Sequence, residues 1–249
     1  MSARATRYLA LFGGLAIIVA GLTVPQWLAS PGIGVVQAAQ ILHDNRVLHW
    51  IYVIGVLLSA VSLAPVVILL AIRLYRRQPG PALLGAGAFV FGLVLEVLGA
   101  LVSLARLGVG TNFPEAEFSG AVAAVMSADT TWLPLYLSLT STYQLLELSG
   151  VILVFVGALA LSAALWRRRW VPLAFTVPAI VLFVLALFVP GLWLTTVMAA
   201  AFAVLGGAYG AFGYATARLN HRVEIDPDTG AETVGQTPRS RRSRRSRRR

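Results

Sequence analysis

The chain of 249 residues contains no cysteine and no lysine, and it has little charge of either sign. The absence of cysteine excludes disulfide bonds, thiolate nucleophiles, iron–sulfur clusters and cysteine-ligated metals. All 20 basic residues are arginine, so no lysine can form a Schiff base with retinal or pyridoxal phosphate. Charged residues make up 12% of the chain, against about 25% in a soluble domain, while hydrophobic residues make up 58%. This composition predicts a protein that is embedded in lipid.

The formal net charge of +10 depends on a short C-terminal segment. Eight of the 20 arginines lie in residues 239–249, and without them the charge is +2. This Arg/Ser segment is low in complexity and is expected to be disordered. Each arginine beside an anionic membrane gains about 1 kcal/mol, so we interpret the tail as a contact with anionic lipids. Nucleic acid is not an expected partner, because the tail has no aromatic residue on which a base could stack.

Long apolar runs dominate the rest of the chain. About 20 apolar residues are needed to cross a hydrocarbon core of roughly 30 Å as a helix. Six runs meet this requirement, which predicts an all-α polytopic bundle of six transmembrane helices within residues 1–218. The predicted spans are 8–28, 47–72, 82–105, 140–165, 171–190 and 192–217. The predicted outer loops are 29–46 and 107–139, and a tail over 219–249 is predicted to begin with a short hairpin at 223–234.

The placement of arginine predicts the orientation of these spans. Eighteen of the 20 arginines fall on one side of the six runs, and only Arg46 and Arg106 fall on the other. The positive-inside rule then puts both termini in the cytoplasm, in a bacterial-type plasma membrane, with Arg106 at the outer boundary of the third span. The first run can also be interpreted as a signal peptide that is cleaved after Val36-Gln37-Ala38, which would leave five spans.

Two glutamates interrupt the apolar runs, and each shares a helical face with small residues. Glu96 has glycines four residues before it and three residues after it, and Glu147 has glycines three and ten residues after it. Small residues allow membrane helices to approach closely, so both glutamates are predicted to point into the bundle. The residues predicted to pack between helices are Gly92, Gly99, Gly150, Gly157, Gly206 and Gly210.

These polar positions define a candidate binding site. At a rise of 1.5 Å per residue, Glu96 would lie about 15 Å below Arg106, and its depth would differ from that of Glu147 by about 2–7 Å. The sequence offers no arginine deep in a span to neutralise Glu96, so we expect this carboxyl group to be protonated and to donate a hydrogen bond to a neighbouring helix. The candidate ligand-binding residues are Glu96, Glu147, His49, Tyr52, Tyr143 and Ser59.

No motif in the sequence predicts a catalytic residue, a metal site or a cofactor. His43 and His49 are six residues apart and do not face the same way on a helix. The sequence has no Walker motif, no nucleotide-binding GxGxxG after a strand and no GxSxG elbow. We therefore expect the chain not to be an enzyme.

Several features together resemble a bacterial family of six-span membrane proteins catalogued as domain of unknown function 4386. They are the six runs, an amphipathic outer segment before the second run, the LYRR that follows it, Glu96 in the third run, the longer outer loop, and GALALSAALWRRRWVP over residues 157–172. The resemblance covers residues 8–218. The arginine that such proteins carry close to this glutamate is missing here, where Phe91, Gly92 and Leu93 come shortly before it. The resemblance implies a membrane architecture and no known reaction.

Three functions are compatible with these patterns. The leading prediction is an integral membrane protein that binds or passes a small ligand, a cation or a proton through an outward-facing polar pocket. The alternative is a structural or accessory subunit whose small-residue faces pack against a partner membrane protein or a second copy of the chain. Under that alternative the glutamates are interhelical hydrogen-bond groups worth about 0.6 kcal/mol each. An intramembrane enzyme is the third reading.

Overall fold

A computed structural model gives the fold. It describes residues 2–23, 41–42, 44–111, 132–165, 170–186, 188 and 192–224. Every regular element within these ranges is an α-helix, which confirms the predicted all-helical class. The six long helices are α1 (Ala3–Leu22), α2 (Arg46–Tyr75), α3 (Pro79–Thr111), α4 (Trp132–Leu165), α5 (Val171–Ala186) and α6 (Leu192–Glu224).

Five of these helices are long and apolar enough to cross a membrane, judged by length and composition over the described residues. Large apolar side chains cover their outer surfaces, among them Leu15, Val61 and Leu145, each at least 60% exposed. Such a surface suits lipid and agrees with a membrane bundle. The remaining helix, α5, has 16 residues and is about 24 Å long, which is shorter than a hydrocarbon core of roughly 30 Å. Six spans therefore remain a prediction.

The helices on either side of the second outer loop are longer than the sequence predicted. The third span was expected to end at residue 105 and the fourth to begin at residue 140, whereas α3 continues to Thr111 and α4 begins at Trp132. Pro134 lies in the first turn of α4, where a missing N–H costs no helical hydrogen bond. Near the end of α3, Arg106 and Leu107 are buried, so packing extends that helix past the apolar run. Residues 112–131 of the predicted loop lie outside the described residues.

The last helix also continues past its predicted end. The span was expected to end at residue 217, and α6 runs on to Glu224 because the segment contains no proline and no glycine after Gly213. The first two residues of the predicted hairpin, Val223 and Glu224, are therefore helical. The rest of that hairpin and the Arg/Ser tail lie outside the described residues.

The six helices pack in a closed ring. Each helix contacts the next one along the chain, α6 contacts α1, and α2 also contacts α6. The two largest interfaces are α3 with α4 and α1 with α6. The aromatic side chains of Phe89, Tyr209 and Phe212 meet inside the ring, with the Phe89 and Tyr209 ring centroids 5.5 Å apart. These three residues are at most 1% exposed.

Glycines set the antiparallel register of α3 and α4. A Cβ atom built on Gly157 would lie 2.5 Å from the backbone nitrogen of Phe89, and one built on Gly92 would lie 2.7 Å from the carbonyl oxygen of Gly150. Further along, the Gly150 position meets Glu96, and the Gly99 position faces the backbone of Glu147 at 3.5 Å. The two helices are therefore in close contact over about three turns.

A second glycine contact joins α1 to α6. A Cβ atom on Gly206 would lie 2.6 Å from the carbonyl oxygen of Gly14, and the Gly213 position meets the side chain of Ala10. The Gly210 position, one turn from each, is 3.6 Å from a methyl group of Leu11. Helices that begin and end the described chain are thus held together by close backbone packing.

Candidate functional site

The carboxylate of Glu147 is the centre of a polar cluster between α2, α3 and α4. The hydroxyl of Tyr52 on α2 donates a hydrogen bond to Oε1 of Glu147 at 2.5 Å. Tyr143 lies one turn before Glu147 on α4, and its hydroxyl also hydrogen-bonds this carboxylate. Both tyrosines are buried, whereas Glu147 is partly exposed. Three of the predicted site residues are therefore in direct contact.

Arg106 also belongs to this cluster, although it was not among the predicted site residues. The sequence placed it at the outer boundary of the third span, but its side chain is fully buried, at 0% exposure. Its guanidinium carbon lies 4.9 Å from the ring centroid of Tyr143 and 5.9 Å from that of Tyr136. The guanidinium group is also close enough to Glu147 to act on its charge. Two aromatic faces and one carboxylate thus surround a cation inside the bundle.

A signal in the sequence could have found Arg106. Residues 96, 99, 103 and 106 are separated by three or four positions, so the arginine continues the helical face that carries Glu96. The prediction ended the third span at residue 105 because it followed hydropathy and not this face. Tyr136 was missed for a related reason, because it was assigned to the outer loop and not to α4.

His49 is almost completely buried beside the same arginine. Its imidazole ring is 1% exposed, and its centroid is 6.2 Å from that of the Tyr52 ring. The backbone of Ser103 and the guanidinium of Arg106 are its polar neighbours on α3. Within the described part of the chain, neither ring nitrogen has a partner in hydrogen-bond geometry.

Glu96 lies deeper in the bundle, next to Gly150. Its side chain is 8% exposed, and it lies between α3 and α4 as the glycine pattern predicted. Because Gly99 faces Glu147, the two glutamates differ by three residues along α3, or about 4.5 Å. Glu96 is close enough to interact electrostatically with Glu147 and with the phenol of Tyr209 on α6. The described residues give it no hydrogen bond to a neighbouring helix, in contrast to the expectation.

Ser59 is the predicted site residue that the structure does not bring to the cluster. It lies seven residues after Tyr52 on α2, or about 10.5 Å along the helix axis. The side chain is buried, and its hydroxyl has no hydrogen-bond partner among the described residues. The remaining candidates, His49, Tyr52, Tyr143, Glu147 and Glu96, are neighbours of one another or of Arg106.

The cluster occupies one half of the bundle and ends at an aromatic layer. Along α3 the polar residues follow in the order Arg106, Ser103 and Glu96, and the next buried large residue toward the start of the helix is Phe89 after Leu93. Phe89 packs against Tyr209 and the ring of Phe212, as described above. The buried polar residues of α3 thus lie between Glu96 and the C-terminal end of the helix, and the aromatic layer around Phe89 separates them from its N-terminal end.

The donor atoms of the cluster do not resemble a metal site. Among the described residues, no group of three or more His, Asp or Glu side chains is placed to hold a metal ion. The cation in the cluster is instead the guanidinium group of Arg106, whose positive charge opposes a second cation close by.

Comparison with known proteins adds no relative to this description. No family model matches the chain, and neither the curated proteins nor the solved structures give a match. The resemblance to the six-span family therefore stays a prediction that rests on the residues quoted for it.

Proposed function

We propose that the chain is an integral membrane protein that takes up protons at the carboxylate pair of Glu147 and Glu96. The observation that carries this proposal is the contrast between the two environments. Glu147 accepts two phenol hydrogen bonds beside a guanidinium group, whereas Glu96, about 4.5 Å deeper, has no such donors among the described residues. Carboxyl groups in such different surroundings hold a proton with different strength, which is the property of an acid–base pair.

The proton is favoured over other small cations by the charge at the site. Arg106 lies beside Glu147, so a metal ion bound there would meet a like charge in a region of low dielectric constant. A proton instead becomes part of a carboxyl group and leaves no separate cation. Glu147 is the partly exposed member of the pair, so it is the group that exchanges with the surroundings, and Glu96 is the group that receives the proton.

The orientation proposed for the protein is that both termini are cytoplasmic and that the cluster faces outward in a plasma membrane. The distribution of arginine supports this orientation. It is also supported by Arg7 at the start of α1 and Arg218 near the end of α6, because both contact the ring of Tyr214. A chain whose first helix starts and whose last helix finishes at the same end of the bundle crosses the membrane an even number of times. Proton uptake would then occur from the outside.

The alternative function, an accessory subunit that packs on a partner, has less support. That interpretation relied on small-residue faces that remain available for another protein. In the structure Gly92, Gly150 and Gly157 face each other's helices within the chain, and Gly206 faces α1. These faces are used internally, so they do not supply a surface for a partner.

Infrared titration of the purified protein in lipid tests the proposal. We expect a carboxyl C=O band that changes between about pH 4 and pH 9 in the wild type. Part of this change should be absent in Glu96→Gln and part in Glu147→Gln. Proton uptake into liposomes carrying a pH-sensitive dye, measured for the same variants, then separates binding of protons from their passage.

The matched control is Ser162→Ala. Ser162 and Thr176 form a buried interhelical contact at 3.2 Å between α4 and α5, away from the carboxylates. This variant removes a buried polar contact of similar kind and should keep the infrared change of the wild type. If the infrared band of Glu96→Gln and that of Glu147→Gln both equal the wild-type band at every pH, neither group exchanges a proton. The proposal would then be wrong.

A further inference from the structure

At the end of the bundle opposite the buried cluster, two exposed arginines meet on one tyrosine ring. The guanidinium carbon of Arg7 lies 5.5 Å from the ring centroid of Tyr214, and that of Arg218 lies 5.0 Å from it. The two guanidinium carbons are therefore at most 10.5 Å apart. All three side chains are exposed, and we call them the Arg7–Tyr214–Arg218 patch.

The backbone beneath this patch is closely packed. Gly213 of α6 lies against the carbonyl of Thr6, which directly precedes Arg7 on α1, and against Ala10, which is one turn after it. Tyr214 directly follows Gly213, and Arg218 is one turn further along α6. The positions of the three side chains are thus set by the second-largest helix interface of the bundle.

The patch lies where the apolar surface ends. Arg218 directly precedes Leu219, the last residue of the apolar stretch Thr196–Leu219, and Arg7 is in the second turn of Ala3–Leu22. Beside Arg7, Tyr8 is 71% exposed and Leu11 is 60% exposed, so an apolar surface begins directly next to the charges. In a bilayer this boundary is the headgroup region, where the phosphates of lipids are found.

The positive charge of the patch favours the binding of an anion. Two like charges share one ring. Among the acidic residues within the described ranges, Asp44, Glu96 and Glu147 lie toward the other end of the bundle or in its interior, and Glu224 follows Arg218 by six residues on α6. Arginine binds phosphate oxygens through paired N–H donors, and a group between two guanidinium carbons at most 10.5 Å apart can contact both.

We propose that the Arg7–Tyr214–Arg218 patch binds the phosphate group of an anionic phospholipid. Free phosphate offers the same oxygen atoms, but the exposed side chains of Tyr8 and Leu11 add an apolar surface for acyl chains that free phosphate cannot use. This site is separate from the proposed proton site, and neither proposal depends on the other.

Native mass spectrometry of the full-length chain, titrated with phosphatidylglycerol in detergent, tests the site. We expect Arg7→Gln/Arg218→Gln to weaken the binding of the first lipid by about 30-fold, the effect of two arginine–lipid contacts. The matched control is Arg241→Gln/Arg242→Gln, which removes the same charge from the tail and should leave this first binding step within about twofold. An equal loss in both variants would show charge attraction without a site and would overturn the proposal.

Two further measurements separate the occupants. Tyr214→Phe keeps the aromatic face and should keep the lipid, whereas Tyr214→Leu should lose it. Phosphatidylcholine should bind weakly, and inorganic phosphate should not displace phosphatidylglycerol. Displacement by inorganic phosphate would make free phosphate the ligand and contradict the lipid proposal.

The chain itself offers another anion, the acidic residues Asp226 and Asp228 that follow α6 in the sequence. If Asp226→Asn/Asp228→Asn lowers the melting temperature of the wild type but not of Arg7→Gln/Arg218→Gln, the occupant is this segment. The lipid proposal would then be wrong.

Discussion

At the scale of single residues, the hydrogen bond between Tyr52 and Glu147 links two helices that share no main interface. The main contacts of α2 in the described chain are with α1, α3 and α6, and those of α4 are with α3 and α5. The distance of 2.5 Å is at the short end of the range for a hydroxyl that donates to a carboxylate. This bond therefore both stabilises the charge of Glu147 and ties α2 to α4.

We expect Tyr52→Phe to destabilise the protein by about 1–3 kcal/mol, because the partly exposed carboxylate of Glu147 loses a hydrogen-bond donor inside the bundle. Reversible unfolding in mixed micelles would measure the free energy. Tyr75→Phe, at an exposed tyrosine of the same helix, is the control and should change stability by less than about 0.5 kcal/mol. Equal stability of Tyr52→Phe and the wild type would mean that this hydrogen bond is not formed.

A second prediction concerns the buried arginine. Arg106→Met removes the cation between Tyr136, Tyr143 and Glu147, and leaves a carboxylate in the bundle without its positive neighbour. Removing one member of a fully buried charge pair costs about 3–5 kcal/mol. Because Glu147 is partly exposed, we expect a smaller loss of about 1–3 kcal/mol by the same unfolding assay. Arg46→Met, at an exposed arginine at the start of α2, should be nearly neutral. Similar small losses in both variants would indicate that Arg106 is hydrated and not buried.

The sequence predicted these residues unevenly. Five polar residues were predicted because each interrupts an apolar run, and because the helical repeat and the estimated depth in the membrane place them close together. They are Glu96, Glu147, Tyr52, Tyr143 and His49. Arg106 was missed because it stands at the end of its apolar run, where hydropathy cannot distinguish a buried charge from one at the membrane surface. Only the packing of α4 against α3 makes that distinction.

At the scale of helices, the register of α3 against α4 brings the two glutamates together. Four contacts follow one another along the interface, each one helical turn from the last: Gly85 with Leu161, Phe89 with Gly157, Gly92 with Val154 and Glu96 with Gly150. This register follows from small residues spaced by three and four on both helices, and the sequence contained that spacing. The partner of each face was not predictable, because Gly206 and Gly210 have the same spacing and pack on α1 instead.

The glycine contact gives a third prediction. In Gly157→Ala the new methyl group would lie 2.5 Å from the backbone nitrogen of Phe89 and 2.6 Å from the carbonyl oxygen of Gly85, so α3 and α4 must separate. We expect a loss of about 1–3 kcal/mol from overpacking. Gly87→Ala is the control in α3, because no atom lies within 4 Å of its added Cβ. That variant should be neutral or more stable by up to about 1 kcal/mol, and a Gly157→Ala protein that behaves in the same way would contradict the close contact.

Helix boundaries were the least predictable feature of the elements. The existence of all six helices followed from hydropathy, yet α4 begins eight residues before its predicted start. The segment from Trp132 to Leu139 contains proline and aromatic residues, which also suit a loop in the headgroup region. Tyr136 packs beside Arg106 in the structure, so a tertiary contact favours the helical conformation here.

At the scale of the whole molecule, the closed ring constrains how the chain can cross a membrane. The contact of α1 with α6 brings Arg7 and Arg218 to the same tyrosine, so the start of α1 and the end of α6 lie on one side of the bundle. If the five longer helices span the bilayer, this arrangement requires α5 to complete a sixth crossing despite its 16 described residues. A short helix can do so where the bilayer thins locally, at a modest energetic cost.

The absence of cysteine makes this topology directly testable, because any introduced cysteine is the only thiol in the chain. In intact cells, a membrane-impermeant maleimide should label Asp44→Cys, which precedes α2, but not Ser2→Cys or Ser240→Cys. Both termini should become labelled once the cells are permeabilised, since the arginine distribution predicts that they lie inside. Labelling of only one terminus in intact cells would mean an odd number of crossings and would leave α5 outside the membrane. Loss of the Ser2→Cys label under every condition would instead show that the first helix is cleaved as a signal peptide.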